Sequence, residues 1–427
     1  RWWITSPRTD PLNKMCDLST LAARTPNWRL CYFLALLDVP CVPKADIFAI
    51  ITLLTNMKDK KGKIKGGKMI AGGAILAGVL IVSFLYIGYL FPSRYDRARE
   101  LALASGVSAT DTIPVYVAPA LDKEAYDLKL WQLANATTSQ PEPNTGSSTA
   151  TSTKKELWPV KTIYPNAGAI LPFKRIVAYY GNLYSTKMGV LGEYPEAEMF
   201  SRLDAEIKKW EAADPNTPVQ PALDYIAATA QESAGEDGDY SFHMPGTEIE
   251  KVLAMAKKID AIVILEVQPG LGHLQEEIKV LEPYLKLPQV HLAIDPEFCM
   301  KNNRRPGIYI GSVDASEVNT AANYLAEIVQ ANNLPPKVLI VHRFTEEMVT
   351  NATDIKPLPE VQIVMDMDGW GLKSRKLNTY QIIHDEPVQF TGFKLFYKND
   401  FKEENSRIMT PDEVLKVKPQ PIFIQYQ

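Results

Sequence analysis

Acidic side chains in the second half of the chain stand at or near the ends of apolar runs. Glu266 and Asp295 each follow such a run, and Asp366 and Asp368 follow another. Glycoside hydrolysis needs paired carboxyl groups, because one protonates the leaving oxygen and a second acts as nucleophile or as base toward water. We therefore predict that Glu266, Asp295, Asp366 and Asp368 are catalytic residues.

Aromatic and polar side chains at the same ends are candidates for holding a substrate. Aromatic faces stack on sugar rings, and a few well-placed polar groups fix the orientation of a ligand. The predicted substrate-binding residues are Tyr180, Gln231, Glu297, His342, Trp370, Lys394 and Tyr397. A structural alternative is a buried ion network of the acidic residues with Lys394, Arg343 and His342, since structural ion pairs resemble active sites.

Two other functions stay open at this point. The first is a non-catalytic domain that binds glycan or an envelope partner. The second is metal-assisted hydrolysis, with Asp295, Asp366, Asp368 and His342 around a divalent cation, because hard cations prefer oxygen ligands. One His is too few for a typical zinc site, so the leading hypothesis includes no metal and no other cofactor.

The acidic residues lie in a region where apolar strands alternate with amphipathic helices. The predicted helices include 195–213, 248–259, 273–285 and 315–332. The eight predicted strands are 175–181, 219–227, 261–267, 290–295, 337–343, 361–367, 390–397 and 421–427. Such alternation implies a parallel sheet, and eight units predict an α/β fold with a (βα)8 TIM-type barrel. The alternative is a doubly wound open sheet, but 181–189 is not a Gly-rich phosphate loop.

The alternation of side chains along the strands predicts which residues face the inside of the barrel. Residues two apart in a strand share a face. If the apolar positions face the helices, Glu266, Asp295, His342 and Asp366 face inward at the C-terminal ends of their strands. These ends form the mouth where barrel enzymes keep their active sites.

The stretch from RIVAYYGN to PIFIQYQ resembles a family of uncharacterised bacterial secreted, lipoprotein-like or membrane-anchored TIM-barrel proteins. The resemblance is carried by YYGN, MGVLGE, LEVQPG, AIDPEF, GSVDASEVN, VHRFT, MDMDGWG and GFKLFY. The chain is more loosely similar to chitinase-like and other glycoside hydrolase barrels, through YYG and the acidic end of the fourth strand. AIDPEF lacks the DxxDxDxE run of the chitinase-like enzymes, so their mechanism does not transfer to Asp295 and Glu297.

Residues 69–91 are predicted to form one transmembrane helix, because these 23 residues contain no charged side chain. A helix of this length covers about 35 Å, enough for a hydrocarbon core of about 30 Å. Six lysines lie in 57–68, and three arginines follow the span before residue 100. This difference predicts a cytoplasmic N-terminal side and an extracytoplasmic C-terminal domain, single-pass in the cell membrane. A cleaved signal peptide would have a shorter apolar core.

Composition divides the rest of the chain. Residues 136–155 have no apolar side chain larger than Ala apart from prolines, which predicts a flexible linker. We expect a stalk over 92–166 with a short helix near 120–135, and the barrel domain over 167–427. Because Met57 opens a basic segment followed by an apolar one, we expect residues 1–56 to be an upstream extension.

The net charge of -4 argues against nucleic acid as a partner. The predicted partners are the membrane and a carbohydrate.

Overall fold

A computed structural model of the protein describes residues 120–134, 163–385 and 388–427. The predicted membrane span 69–91, the basic segment 57–68, residues 1–56 and the linker 136–155 lie outside the described residues. Within the described part, no helix is both long and apolar enough to cross a membrane.

Eight parallel strands form a closed barrel, which confirms the predicted α/β barrel. In barrel order they are β1 (Arg175–Gly181), β2 (Val219–Ala230), β4 (Ile262–Val267), β5 (Val290–Ile294), β7 (Lys337–Arg343), β9 (Val361–Met367), β10 (Phe390–Leu395) and β11 (Phe423–Tyr426). Pairing of β1 with both β11 and β2 closes the ring. The short strand β3 (Ser241–His243) pairs antiparallel with β2, and β6 (Val313–Asp314) pairs with β8 (Val349–Thr350) outside the barrel.

Within the described residues, one helix precedes β1 and the others connect the barrel strands. They are α1 (Lys123–Ala134), α2 (Val190–Glu193), α3 (Glu196–Ala213), α4 (Gly246–Lys258), α5 (Leu274–Val280), α6 (Glu282–Leu285), α7 (Ala315–Asn332), α8 (Lys373–Ile383) and α9 (Pro411–Val414). Helix α7 begins at a capping box, in which the Asp314 carboxylate accepts from the Ser316 N–H and Glu317 accepts from the Asp314 N–H. These bonds satisfy N–H groups that have no partner within the helix.

Alternating side chains divide the apolar interior into two layers. In β4, Val263 and Leu265 belong to an outer cluster with the helices, while Ile262 and Ile264 belong to an inner cluster inside the barrel. Glu266 is two residues beyond Ile264, so its side chain also points inward. The predicted inward faces are therefore confirmed, and they determine which polar groups reach the mouth.

Helix α1 packs against the N-terminal end of the barrel. Tyr126, Leu130 and Leu133 are buried in the inner cluster with strand residues such as Ile176 and Phe390. The Leu133 carbonyl also accepts a hydrogen bond of 2.8 Å from the Gln420 N–H. The helix predicted within the stalk is thus present, and it covers the end of the barrel opposite to the mouth.

Candidate active site at the mouth of the barrel

A pocket of about 540 Å³ opens at the C-terminal ends of the strands. All eight barrel strands contribute to its wall, either with their last residues or with the residues that follow. In barrel order these are Tyr180, Ala230, Gln268, Asp295, Phe344, Asp368, Lys394 and Gln427. The 3₁₀ turn after β5 adds Glu297 and Phe298, the loop after β9 adds Trp370, and α8 adds Arg375. The pocket therefore combines carboxyl groups, cations and aromatic side chains at the position where barrel enzymes bind substrates.

Lys394 contacts two other residues of the pocket wall, Asp368 and Tyr180. Its Nζ lies 3.2 Å from Oδ1 of Asp368 and 4.0 Å from the centre of the Tyr180 ring. Burial acts to lower the pKa of Lys394, but the carboxylates around it, led by Asp368, outweigh burial and raise that pKa. Lys394 therefore stays charged and holds Asp368 in position as an ion pair.

Two carboxyl groups of the pocket are shifted toward their protonated forms. Asp295 is buried, and burial together with repulsion from Glu266 raises its pKa well above the ordinary value. Burial and the nearby Asp368 raise the pKa of Glu297 from 4.5 to about 7. A carboxyl group with a pKa near the working pH suits proton donation.

A short turn brings Glu297 into the pocket. Residues Pro296–Phe298 form a single 3₁₀ turn directly after β5. The Asp295 carboxylate accepts a hydrogen bond of 3.0 Å from the Glu297 N–H, which fixes the start of this turn. The alternation of faces along a strand does not extend through a turn. Asp295 therefore reaches the pocket wall from the end of β5, whereas Glu297 reaches it through the turn.

Beneath the pocket, His342 lies between two carboxylates. Its Nε2 is 3.0 Å from Oε2 of Glu266, and its Nδ1 is 3.1 Å from Oδ2 of Asp366. Burial alone would lower the pKa of His342, but these two hydrogen bonds raise it well above the ordinary value. The Tyr180 hydroxyl and the Gln268 amide both donate to Oε1 of Glu266, at 3.0 and 2.8 Å. Through these bonds the buried Glu266 holds two residues of the pocket wall, Tyr180 and Gln268, in position.

The space occupied by Asp366 depends on a glycine in the neighbouring strand. Gly392 is the register partner of Asp366 in β10. A Cβ at Gly392 would lie 2.4 Å from Oδ1 of Asp366 and 2.9 Å from the Phe423 ring. Glycine is therefore needed here for the carboxylate to enter the barrel interior.

The predicted site residues fall into three groups. Those that line the pocket are Tyr180, Asp295, Glu297, Asp368, Trp370 and Lys394. Those that are fully buried beneath it are Glu266, His342 and Asp366. Gln231 and Tyr397 do not line the pocket.

Alternation explains the placement of these last two residues. Gln231 follows the pocket residue Ala230, and its side-chain amide donates to the Thr229 carbonyl at 3.3 Å. Tyr397 lies beyond the end of β10, and its hydroxyl is 3.0 Å from that of Tyr179 on the outer side of the barrel. Their predicted contact with substrate is therefore not supported by their positions.

Sequence reasoning did not single out Asp224, which is fully buried inside the barrel. Its Oδ2 accepts a hydrogen bond of 2.6 Å from the Gln425 amide. The signal in the sequence is an acid in the interior of an apolar strand, two residues after the inward-facing Ala222. Asp224 forms a possible metal-binding group with Glu266 and His342, whose ligand atoms lie within 4.8 Å of one another. Of the ligands considered in the sequence analysis, only His342 belongs to this group.

No family model matches the chain, and no curated protein matches it either. Among solved structures, the chain is similar to the Bacillus subtilis mannanase BCman, with 11% identity over 60% of this chain and 81% of the mannanase and a TM-score of 0.32. It is similar to the Bacillus subtilis mannanase man26, with 13% identity over 60% and 79% and a TM-score of 0.33. It is also similar to the YdhT protein from Bacillus subtilis, with 12% identity over 60% of this chain and 81% of that protein and a TM-score of 0.33. The barrel assignment rests on the strand pairing of this chain itself.

Proposed function

We propose that the barrel domain hydrolyses glycosidic bonds in the pocket at its mouth. The supporting observation is that Glu297, with a pKa raised to about 7, faces the same pocket as Asp368, which is paired with Lys394. One carboxyl group that holds a proton and one that is fixed beside a cation are the two parts that this reaction uses.

The roles follow from the environments of the two groups. Glu297 retains its proton near neutral pH, so it protonates the oxygen of the leaving sugar. Asp368 acts either as a nucleophile at the anomeric carbon of the sugar whose bond is cleaved or as a base that activates the attacking water. Asp295, whose pKa is also raised, hydrogen-bonds the backbone of Glu297 and holds the turn in place.

Glu266 and Asp366 act from beneath the pocket in this proposal. Both are fully buried, and both contact His342 rather than the pocket space. Their part is to hold Tyr180, Gln268 and His342 in position, as a supporting layer does for many active sites.

Aromatic side chains support a sugar as the substrate. Tyr180, Phe298 and Phe396 line the pocket, and Trp370 stands at its rim with 42% of its surface exposed. An exposed Trp next to carboxyl groups offers a flat apolar face for a pyranose ring, while the polar groups bind hydroxyls.

The proposal includes an extracytoplasmic location with a membrane anchor. It is supported by the uncharged span 69–91 and by the excess of lysines in 57–68. A glycan of the cell envelope or of the surroundings would then be the accessible substrate.

The test uses the full chain on a panel of soluble plant, fungal and bacterial-envelope polysaccharides, with products followed by chromatography. We expect hydrolysis of at least one polymer, and a loss of at least about 100-fold in kcat for Glu297→Gln and for Asp368→Asn. Glu347→Gln is the matched control, because Glu347 is exposed and lies outside the pocket. Binding without turnover in the parent protein would instead support a non-catalytic glycan-binding domain.

A further inference from the structure

Three side chains inside the barrel, below the pocket, offer ligands of the kind that metal ions use. Asp224, Glu266 and His342 come from β2, β4 and β7, and all three are fully buried. Their nearest carboxylate and imidazole atoms lie within 4.8 Å of one another. Ligand atoms around a small divalent cation are separated by about 3–4 Å, because the bonds to the ion are about 2.0–2.5 Å long. A shift of about 1 Å would bring these atoms to the spacing of ligands around one ion.

Several buried oxygen atoms near these side chains lack a hydrogen-bond partner among the described residues, which indicates a place for a donor or a cation. Oδ1 of Asp224, Oδ1 of Asp366 and Oε1 of Gln425 are buried and have no hydrogen-bond partner within the described part of the chain. Buried polar atoms nearly always have a partner. Of these three atoms, only Oδ1 of Asp224 belongs to the group that could hold an ion, and a donor or a cation would satisfy it. Gln425 also contacts Asp224 directly, with its amide 2.6 Å from Oδ2.

The orientation of His342 fits the role of a metal ligand. Asp366 lies 3.1 Å from Nδ1 of His342, which leaves Nε2 directed toward Glu266 at 3.0 Å. Ligating imidazoles commonly donate their second N–H to a carboxylate, which fixes the ring and its tautomer. An ion bound at Nε2 would replace the proton that His342 shares with Glu266, and Asp366 would orient the ring without touching the ion.

The charge inside and around the pocket favours a cation. Two basic side chains, Lys394 and His342, are surrounded by more carboxyl groups than they can neutralise, while Arg375 in the pocket wall is already paired with Glu403. Asp295 and Glu297 are shifted toward their protonated forms, which leaves the carboxyl groups of Asp224, Glu266, Asp366 and Asp368. Burying unpaired negative charge is costly, so the excess must be offset by protons or by a bound ion.

We propose that Asp224, Glu266 and His342 bind one divalent cation beneath the pocket, with Asp366 as the orienting residue. One imidazole and two carboxylates suit Mn²⁺ better than Zn²⁺, whose sites usually contain more than one His or Cys, and better than Ca²⁺, which prefers six to eight oxygens. Tyr180 and Gln268 both bind Glu266 and line the pocket, so the ion would stiffen the pocket floor. The site goes beyond the proposed hydrolysis, and no catalytic step depends on it.

The test measures metal in the full chain. The protein is stripped with a chelator, dialysed, and titrated with MnCl2 or ZnCl2, with ion content determined by mass spectrometry and Mn²⁺ also by its spin-resonance spectrum. We expect one ion per chain and a thermal midpoint about 5 °C or more higher at saturation. Asp224→Asn should weaken binding at least tenfold. Asp204→Asn, the same change on the exposed surface of α3, should leave binding unchanged.

A shared proton is the competing explanation for the unpaired oxygens. In that case neither ion would bind stoichiometrically, and Asp224→Asn would keep or raise the thermal midpoint, which would overturn the proposal. The binding and spin-resonance measurements on the parent protein remain decisive even if the variant does not fold. Because they do not involve turnover, they are independent of whether the protein hydrolyses a glycan.

Discussion

The Nζ atom of Lys394 lies 3.2 Å from Oδ1 of Asp368, and both side chains are largely buried. Removing only one partner of such an ion pair destabilises the folded protein, because the remaining partner is a buried charge without compensation. Lys394→Met should therefore lower the free energy of unfolding by about 3–5 kcal/mol, measured by urea denaturation. An unchanged urea midpoint would show that Asp368 is solvated.

The double variant Lys394→Met with Asp368→Asn is the control for this pair. Removing both charges takes away the nearest carboxylate together with its cation, so the double variant should recover part of the stability lost in the single one. The coupling free energy from the double-mutant cycle then measures the interaction between the two side chains.

The pH dependence of the protein should report on Glu297. Its pKa is raised from 4.5 to about 7, so the folded protein binds a proton that the unfolded chain releases at lower pH. The stability contributed by that proton is fully present below pH 4.5 and is lost as the pH rises to about 7. If Glu297 is the proton donor, kcat/KM should fall over the alkaline side with a midpoint near pH 7.

Glu297→Gln separates the two effects. Gln remains neutral at every pH, so the thermal midpoint of the variant should rise relative to that of the parent between pH 4.5 and 7. Glu347→Gln should follow the parent across this range. A parallel course of the Glu297→Gln and parent curves would contradict the raised pKa.

Trp370 should contribute binding rather than chemistry. It is 42% exposed at the rim of the pocket, and the Nζ of Lys402 lies 5.3 Å from the centre of its ring. Trp370→Ala should raise KM about tenfold, which corresponds to about 1.4 kcal/mol, and change kcat little. Phe401→Ala is the control, because Phe401 is 53% exposed but lies outside the pocket. A selective loss of kcat would assign Trp370 a different role.

The strands and their faces could be predicted because apolar runs in a barrel repeat a simple pattern. In β9 the outward Ile363 and Met365 alternate with the inward Val364 and Asp366, and this alternation is enough to assign the carboxylate to the inner face. The same rule located Glu266 and His342. It could not show that these residues lie beneath the pocket rather than in its wall, because depth depends on the stagger between neighbouring strands.

Residues at irregular positions were harder to place. The pairing of β2 with β4 shifts register between Ile226 and Ala228, so alternation counted from the start of β2 fails near its end. Glu297 reaches the pocket through a 3₁₀ turn, which has no period-two pattern. The contribution of 120–134 to the inner cluster depends on packing between segments far apart in the chain, which no local pattern records.

The predicted orientation in the membrane can be tested with reporter fusions. Because lysines accumulate before the span 69–91, alkaline phosphatase fused after residue 160 should be active, and a cytoplasmic reporter at the same point should be silent. A phosphatase fusion after residue 60 is the control and should be inactive. The reverse pattern would overturn the predicted topology.

Helix α1 should be part of the folded domain and not of a spacer. Leu130 is 1% exposed and packs in the inner cluster at the N-terminal end of the barrel. Truncating a buried Leu removes apolar contacts and leaves a cavity, so Leu130→Ala should lower the free energy of unfolding by about 2–5 kcal/mol. Glu124→Ala, an exposed position on the same helix, should change it by less than about 0.5 kcal/mol. Equal urea midpoints for the two variants would mean that α1 does not support the barrel in solution, whereas a selective loss in Leu130→Ala would extend the cooperative unit beyond the predicted start of the barrel domain.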